Sequence, residues 1–298
     1  MPATSMMTTV HGKWILAGEH AVLRGSPALV FPVQGKAMTL SFTSSERDLS
    51  VEFSGEHGDE LRLLFWGVIE KALEMTSRTR SVLHGHFQIT NSIPVGAGLG
   101  ASAALCVGLG RWFAWRGWVA ESELPEFCRL LENLFHGESS GVDIAVALSG
   151  RGLCFIRGGE RYAIEPRWQP EWYLSYSGKR GVTSECVARV KALWTRDEVL
   201  GKRIDQDMRE AVAMAARALQ LSSATEGFDL LAEAINKART CFEHWGLTSG
   251  EIGSHVQMLI NHGAYAVKPT GSGDGGYVLS LWRKAPPADL SSLLIPLN

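Results

Sequence analysis

The 298-residue sequence predicts an α+β fold in two domains, and three observations carry that prediction. Apolar runs of strand length and stretches of helical periodicity are mixed along the chain instead of alternating strictly, which argues against a doubly wound sheet. The length suits one large domain or two of ordinary size, each with its own core. A polar, Pro- and Gly-containing segment from Gly158 to Pro170 interrupts the pattern and is where a domain boundary is expected.

Taken in order, residues 13–17 and 28–33 are short apolar runs that read as strands, separated by the polar, Gly-containing stretch Gly18 to Pro27. Residues 37–43 and 50–53, rich in Val, Phe and Thr, read as two more. From Asp59 to Met75 the residues Leu61, Leu64, Phe65, Val68, Ile69 and Leu73 recur at helical spacing. Phe87 to Thr90 reads as a strand leading into a turn at Pro94, followed by a helix of small and apolar residues from Ala101 to Val119. Leu124, Phe127, Cys128, Leu131, Leu134 and Phe135 form a further amphipathic stripe. Gly150 to Arg157 and Tyr173 to Ser177 look like strands. Helices are expected around 184–195, 205–221, 227–244 and 250–261, and the strands Ala264 to Lys268 and Tyr277 to Trp282 close the pattern.

The formal net charge of −2 leaves no basic field for nucleic acid or for an anionic membrane surface. No apolar run approaches the roughly 18 residues that suggest a membrane span. No signal peptide is visible at Met1 to Val10, and the five cysteines show no C-x-x-C spacing. They read as buried hydrophobes of a reducing compartment, so a cytoplasmic protein is expected.

Four segments have the composition of chemistry. In Ile93 to Ala104, I-P-V-G-A-G-L-G-A-S-A-A, three glycines at alternate positions (Gly96, Gly98, Gly100) precede a helix. Glycine permits positive φ and close backbone approach, and a helix N-terminus favours an anion. Ser102 adds a hydroxyl suited to a phosphate oxygen or Mg²⁺. A tight strand–helix connection would need the same glycines. In Gly12 to Gly25, Lys13 opens an apolar strand, and Glu19 and His20 follow it. Each of these is equally at home as a solvated strand end or loop. Lys268 to Tyr277, K-P-T-G-S-G-D-G-G-Y, holds four glycines, more than a hairpin requires, although a wide hairpin is the alternative. Glu132 to Asp143 supplies carboxylates, with Glu132 at the edge of an apolar helical stripe. Asp143 is also explained as a helix N-terminal residue favoured by the dipole.

In this order and spacing, K-W-I-L-A-G-E-H-A-V-L-R-G-S-P-A-L, P-V-G-A-G-L-G-A-S-A-A and K-P-T-G-S-G-D-G-G resemble the three motifs of the GHMP kinase family, from Lys13 to about residue 282. The form G-E-H-A-V, and H-G-E-S-S-G-V-D beside the family segment H-G-x-P-S-G-V-D, are most similar to its mevalonate branch. The resemblance implies a two-domain GHMP kinase fold. Residues 1–165 would form a ribosomal-protein-S5-like N-terminal domain with the ATP, Mg²⁺ and catalytic residues, and 166–298 a ferredoxin-like C-terminal domain. It implies ATP-dependent phosphorylation of a primary hydroxyl by a monomer or homodimer. Asp143 would be the base and Lys13 its catalytic partner, with Glu19, His20 and Thr183 on the substrate. Pro94, Gly96, Gly98, Leu99, Gly100, Ala101 and Ser102 would cradle the phosphates, and Gly271, Ser272 and Gly273 would support them. Ser102 and Glu132 would be the Mg²⁺ ligands. Another GHMP small-molecule kinase, such as one acting on phosphomevalonate, or a non-catalytic metabolite sensor of the same fold, is the alternative.

The chain departs from the family pattern at several positions. Ala101 stands where a first serine is usual, which removes one phosphate-facing hydroxyl. His11 replaces a common proline and Pro269 an aliphatic residue. Asp274 introduces an acid into a loop that is more often all small residues, and Glu138 replaces a small polar residue.

Overall fold

A computed structural model describes residues 4–55, 58–136 and 139–297. Gly137 and Glu138, within the H-G-E-S-S-G-V-D stretch, lie outside the described residues. The chain forms two compact units, one of residues 1–13, 36–95 and 99–150, the other of 14–35, 96–98 and 151–298.

In the first unit, β2 (Ala28–Asp48) pairs antiparallel with β4 (His84–Asn91), with Phe42 opposite Phe87, and β3 (Ser50–Gly55) pairs parallel with β4. Parallel neighbours require a crossover, supplied here by α1 (Gly58–Met75). Strict alternation along β4 turns Phe87, Ile89 and Asn91 inward. Phe42, Phe65, Phe87 and Trp112 then meet tilted or edge-on at centroid distances of 4.8–5.4 Å. Helices α2 (Ala101–Trp115), α3 (Leu124–His136) and α4 (Val142–Ser149) complete the unit. Small residues let α2 approach closely: a Cβ at Gly108 would lie 2.6 Å from Leu40 Cδ1, and one at Gly110 2.4 Å from Cys128 Sγ. This packing seats the middle of α2 between β2 and α3.

In the second unit, β7 (Glu171–Tyr176), β8 (Ala266–Pro269), β9 (Tyr277–Trp282) and β10 (Leu294–Pro296) form an antiparallel sheet in the order β10-β7-β9-β8. Its core packs Val267, Val278 and Trp282 with Ile252, Val256 and Leu259 of α8 (Glu251–Asn261). α5 (Thr183–Arg196), α6 (Glu198–Gln220) and α7 (Ala224–His244) are the other helices. Asp197 caps α6 by accepting Leu200 N–H at 2.9 Å, and Ser223 caps α7 by accepting Glu226 N–H. β5 (Leu153–Phe155) pairs with residues 28–30 of β2 and with β6 (Arg161–Ala163).

Several elements differ from expectation. β1 (Ser5–Ala17) begins eight residues earlier than its apolar run, and β2 runs unbroken through the polar residues Gln34–Lys36. α2 stops at Trp115, because Gly117 adopts φ 69° and ends the helix, whereas apolar periodicity alone carried it to Val119. α6 starts at its Asp197 cap, well before the residue-205 start of its apolar stripe. The mixed α+β class is as predicted.

Candidate functional site

The glycine turn is shaped at its entry by Asn91. Its side-chain amide donates to Ile93 C=O at 2.7 Å and its carbonyl accepts Ile93 N–H at 3.1 Å, ending β4. Gly96, Gly98 and Gly100 all take positive φ, 71°, 86° and 79°, a conformation that costs other residues energy. Pro94, Val95 and Leu99 to Ser102 belong to the first unit and Gly96 to Gly98 to the second, so each group is described with its own neighbours.

In the first unit, Lys13 N–H donates to Leu99 C=O at 2.9 Å, which ties β1 to the exit of the turn. Gly100 is the N-cap of α2; a Cβ there would come 2.8 Å from Lys13 Cγ, so the glycine makes room for that side chain. Ala101 is buried and Ser102 partly buried in the first turn of α2. Lys13 Nζ is 2.9 Å from Asp143 Oδ2. Asp143 lies in the first turn of α4, whose N-cap Gly141 has φ 82°. The ammonium holds the carboxylate in place. Glu132 on α3 is 1% exposed. Its Oε2 accepts the Ser139 hydroxyl, and its Oε1 is buried with no hydrogen-bond partner among the described residues. Burial, and then the charge of Asp143, push its carboxyl up to about 8.

A buried acceptor without a partner needs an explanation, and a hard cation that takes oxygen ligands supplies one. No group of three or more His, Cys, Asp and Glu side chains able to hold a metal occurs among the described residues. One or two carboxylates completed by substrate phosphates are the usual protein share of a Mg²⁺ site. Glu132 Oε1 fits that share.

In the second unit, the tip of the turn and the loop after β8 come together. A Cβ at Gly276 would lie 2.9 Å from Ala97 O, one at Gly271 3.7 Å from Gly98 O, and one at Gly96 3.5 Å from Arg180 Nη1. Glu19 pairs through Oε1 with Lys268 Nζ at 2.5 Å, both side chains buried. Burial pulls the Lys268 ammonium below its ordinary value against the opposing pull of Glu19. Thr270 Oγ1 accepts Ile15 N–H at 2.8 Å and donates to Ile15 C=O at 2.9 Å, fixing β1 just ahead of Glu19. His20 is held at φ 57° with Nε2 2.8 Å from Ser272 O, its ring edge-on to Trp245 at 5.0 Å. Burial drops its pKa to about 4, so the imidazole is neutral at pH 7. Thr183 Oγ1, at the start of α5, donates to Ser272 Oγ at 3.4 Å, and Cys186 Sγ–H donates to Gly273 O at 3.3 Å.

Asp274, the acid in the loop, is compensated: Lys179 Nζ lies 3.5 Å and Arg189 Nη1 3.7 Å from its carboxylate. Sequence reasoning did not single out Lys268 or Ser139 for a role. The signal for Lys268 was a lone cation in the apolar run A-V-K-P. Ser139 gave none, because its partner is seven residues away across a turn.

Residues 64–151 match the GHMP kinases N terminal domain. Over most of its length the chain is similar to mevalonate kinases. It is 27% identical to that of Pyrococcus horikoshii over 93% of this chain and 88% of the relative, and 29% identical to that of Aeropyrum pernix over 92% and 87%. In fold it is similar to the L. major mevalonate kinase crystallised in complex with R-mevalonate, with a TM-score of 0.78 and 20% identity over 98% of this chain and 92% of that one. The match over residues 64–151, the similarity along most of the chain and the shared fold all point to the GHMP kinases.

Proposed function

We propose that the protein transfers the γ-phosphoryl group of ATP to the primary hydroxyl of mevalonate, giving 5-phosphomevalonate and ADP for isoprenoid precursor synthesis. The observation that carries this reading is the Lys13–Asp143 pair at 2.9 Å in the first turn of α4. The similarity to mevalonate kinases along the chain supports the choice of acceptor.

Phosphoryl transfer needs alignment and charge stabilisation more than covalent chemistry. Asp143 accepts the proton of the attacking hydroxyl as transfer proceeds, because an alcohol is a poor nucleophile at neutral pH. Lys13 orients Asp143 and stabilises negative charge developing on the alcohol oxygen. Pro94, Gly96, Gly98, Leu99, Gly100 and Ala101 present backbone to the phosphates, supported by Gly271, Ser272 and Gly273. Ser102 and Glu132 hold Mg²⁺. When bound, the ion neutralises phosphate charge and fixes the reacting group. Glu19, His20 and Thr183 recognise mevalonate, His20 as a neutral hydrogen-bonding group. The division into a catalytic domain, 1–165, and a C-terminal domain, 166–298, belongs to the same reading. So do a monomer or homodimer and a cytoplasmic location. For the location, the support is that all five cysteines are free and buried and that no described helix is long and apolar enough to cross a membrane.

The test is ADP release, with ATP and Mg²⁺, across mevalonate, phosphomevalonate, homoserine and galactose. Turnover is expected with mevalonate. Turnover confined to another alcohol would discard that acceptor and keep the kinase.

A further inference from the structure

Ser139 is buried and its hydroxyl is doubly used. The oxygen accepts Gly141 N–H at 3.0 Å, which leaves its single proton to be donated to Glu132 Oε2. Its backbone N–H in turn donates to Asn133 Oδ1 at 2.8 Å, so the residue is anchored to α3 at two successive positions, 132 and 133. The result is an asymmetric carboxylate. One oxygen is occupied by a hydroxyl; the other, Oε1, is buried and has no hydrogen-bond partner among the described residues.

We propose that Ser139 is a positioning residue for the metal ligand Glu132: by occupying Oε2 it leaves Oε1 alone for a divalent cation, making the carboxylate a one-oxygen ligand. The proposal rests on the reading of Glu132 as a Mg²⁺ ligand. A serine is unexpected here, because the family segment H-G-x-P-S-G-V-D has proline at this place, and proline has no hydroxyl to donate. Ligation through a single oxygen matters for selectivity. Mg²⁺ demands near-octahedral geometry with short bonds, whereas Ca²⁺ accepts carboxylates through both oxygens. The same hydroxyl bonds the N-cap of α4, so it also couples the direction of Glu132 to the turn that presents Asp143.

The experiment measures Mn²⁺ binding to the enzyme–ADP complex by electron paramagnetic resonance, with Mg²⁺ and Ca²⁺ as competitors. It compares wild type with Ser139→Ala, Ser139→Thr and Glu132→Gln, each checked for folding by circular dichroism. Ser139→Ala is expected to weaken Mg²⁺ about fivefold or more while Ca²⁺ weakens less or tightens, so the Mg²⁺/Ca²⁺ preference falls. Ser139→Thr, which keeps the hydroxyl, is expected to restore it. An unchanged preference in Ser139→Ala, with Glu132→Gln losing the ion, would overturn the positioning role and leave the metal ligand standing. Wild-type binding by Glu132→Gln would overturn both. If Ser139→Ala does not fold, Ser139→Cys, a weaker donor of similar size, replaces it with the same expected direction.

Discussion

Lys268 and Glu19 form an ion pair away from water, Nζ to Oε1 2.5 Å, although 249 residues separate them along the chain. Lys268 also donates to Ile15 C=O at 3.4 Å and faces the Phe242 ring at 5.2 Å. A buried pair is weak evidence of net stabilisation, but removing one partner strands the other's charge. Lys268→Met is therefore expected to lower stability by about 3–5 kcal/mol. Adding Glu19→Gln to it should recover a large part of that loss. Urea unfolding of the two single variants and the double variant measures the coupling, and strictly additive losses would remove the pair from the account.

The Lys13–Asp143 pair differs in kind, since Asp143 keeps 19% of its side-chain surface exposed and tolerates a lost partner better. Asp143→Asn and Lys13→Met are expected to fold normally and to lose about 10²–10⁴-fold in kcat, the usual weight of a proton-transfer group. KM for ATP should change far less. Near-normal turnover in either variant, with a wild-type circular dichroism spectrum, would unseat the assignment of base and partner.

Much of this arrangement could be read from the sequence, for physical reasons that also explain what could not. Helical periodicity is local, so α1, α3 and α7 showed in their apolar spacing. The glycine-rich turns showed because positive φ selects glycine at Gly96, Gly98 and Gly100. The length of β2 did not, because Gln34, Gly35 and Lys36 look like a loop, yet the strand runs unbroken through them between its pairings with β5 and β4. Nor did the Lys268–Glu19 pair, because a lone cation in A-V-K-P does not say which of the distant carboxylates it meets. Asp274 showed in the sequence only as an acid in a loop of small residues; its Lys179 and Arg189 partners come from distant positions that no spacing rule connects.

His20 makes stability depend on pH in a defined direction. Its pKa is about 4 when folded and 6.5 in the unfolded chain, so between those values the unfolded state binds a proton that the folded state refuses. The associated stability is fully present above about pH 6.5 and is lost as pH falls toward 4, by about 3 kcal/mol at most. Asparagine tolerates the positive φ at this position better than most residues. His20→Asn should therefore flatten the slope of unfolding free energy against pH by up to one proton over that window. A slope unchanged from wild type would show that the imidazole takes up its proton without cost.

Gly100 offers a test of how the turn shapes Lys13, the proposed partner of Asp143. Its φ of 79° would cost alanine about 1–2 kcal/mol. The new Cβ would also fall 2.8 Å from Lys13 Cγ and 3.4 Å from Cε, so that side chain has to move. Gly117, just beyond the other end of α2, has a similar φ of 69°, and a Cβ there would meet nothing within 4 Å. The two alanine variants thus share backbone strain and differ in the push on Lys13. Both should unfold at modestly lower temperature than wild type, but only Gly100→Ala should lose kcat by tenfold or more. Comparable kcat in the two variants would mean that Lys13 reaches Asp143 by another path, and that the glycine serves the helix cap alone.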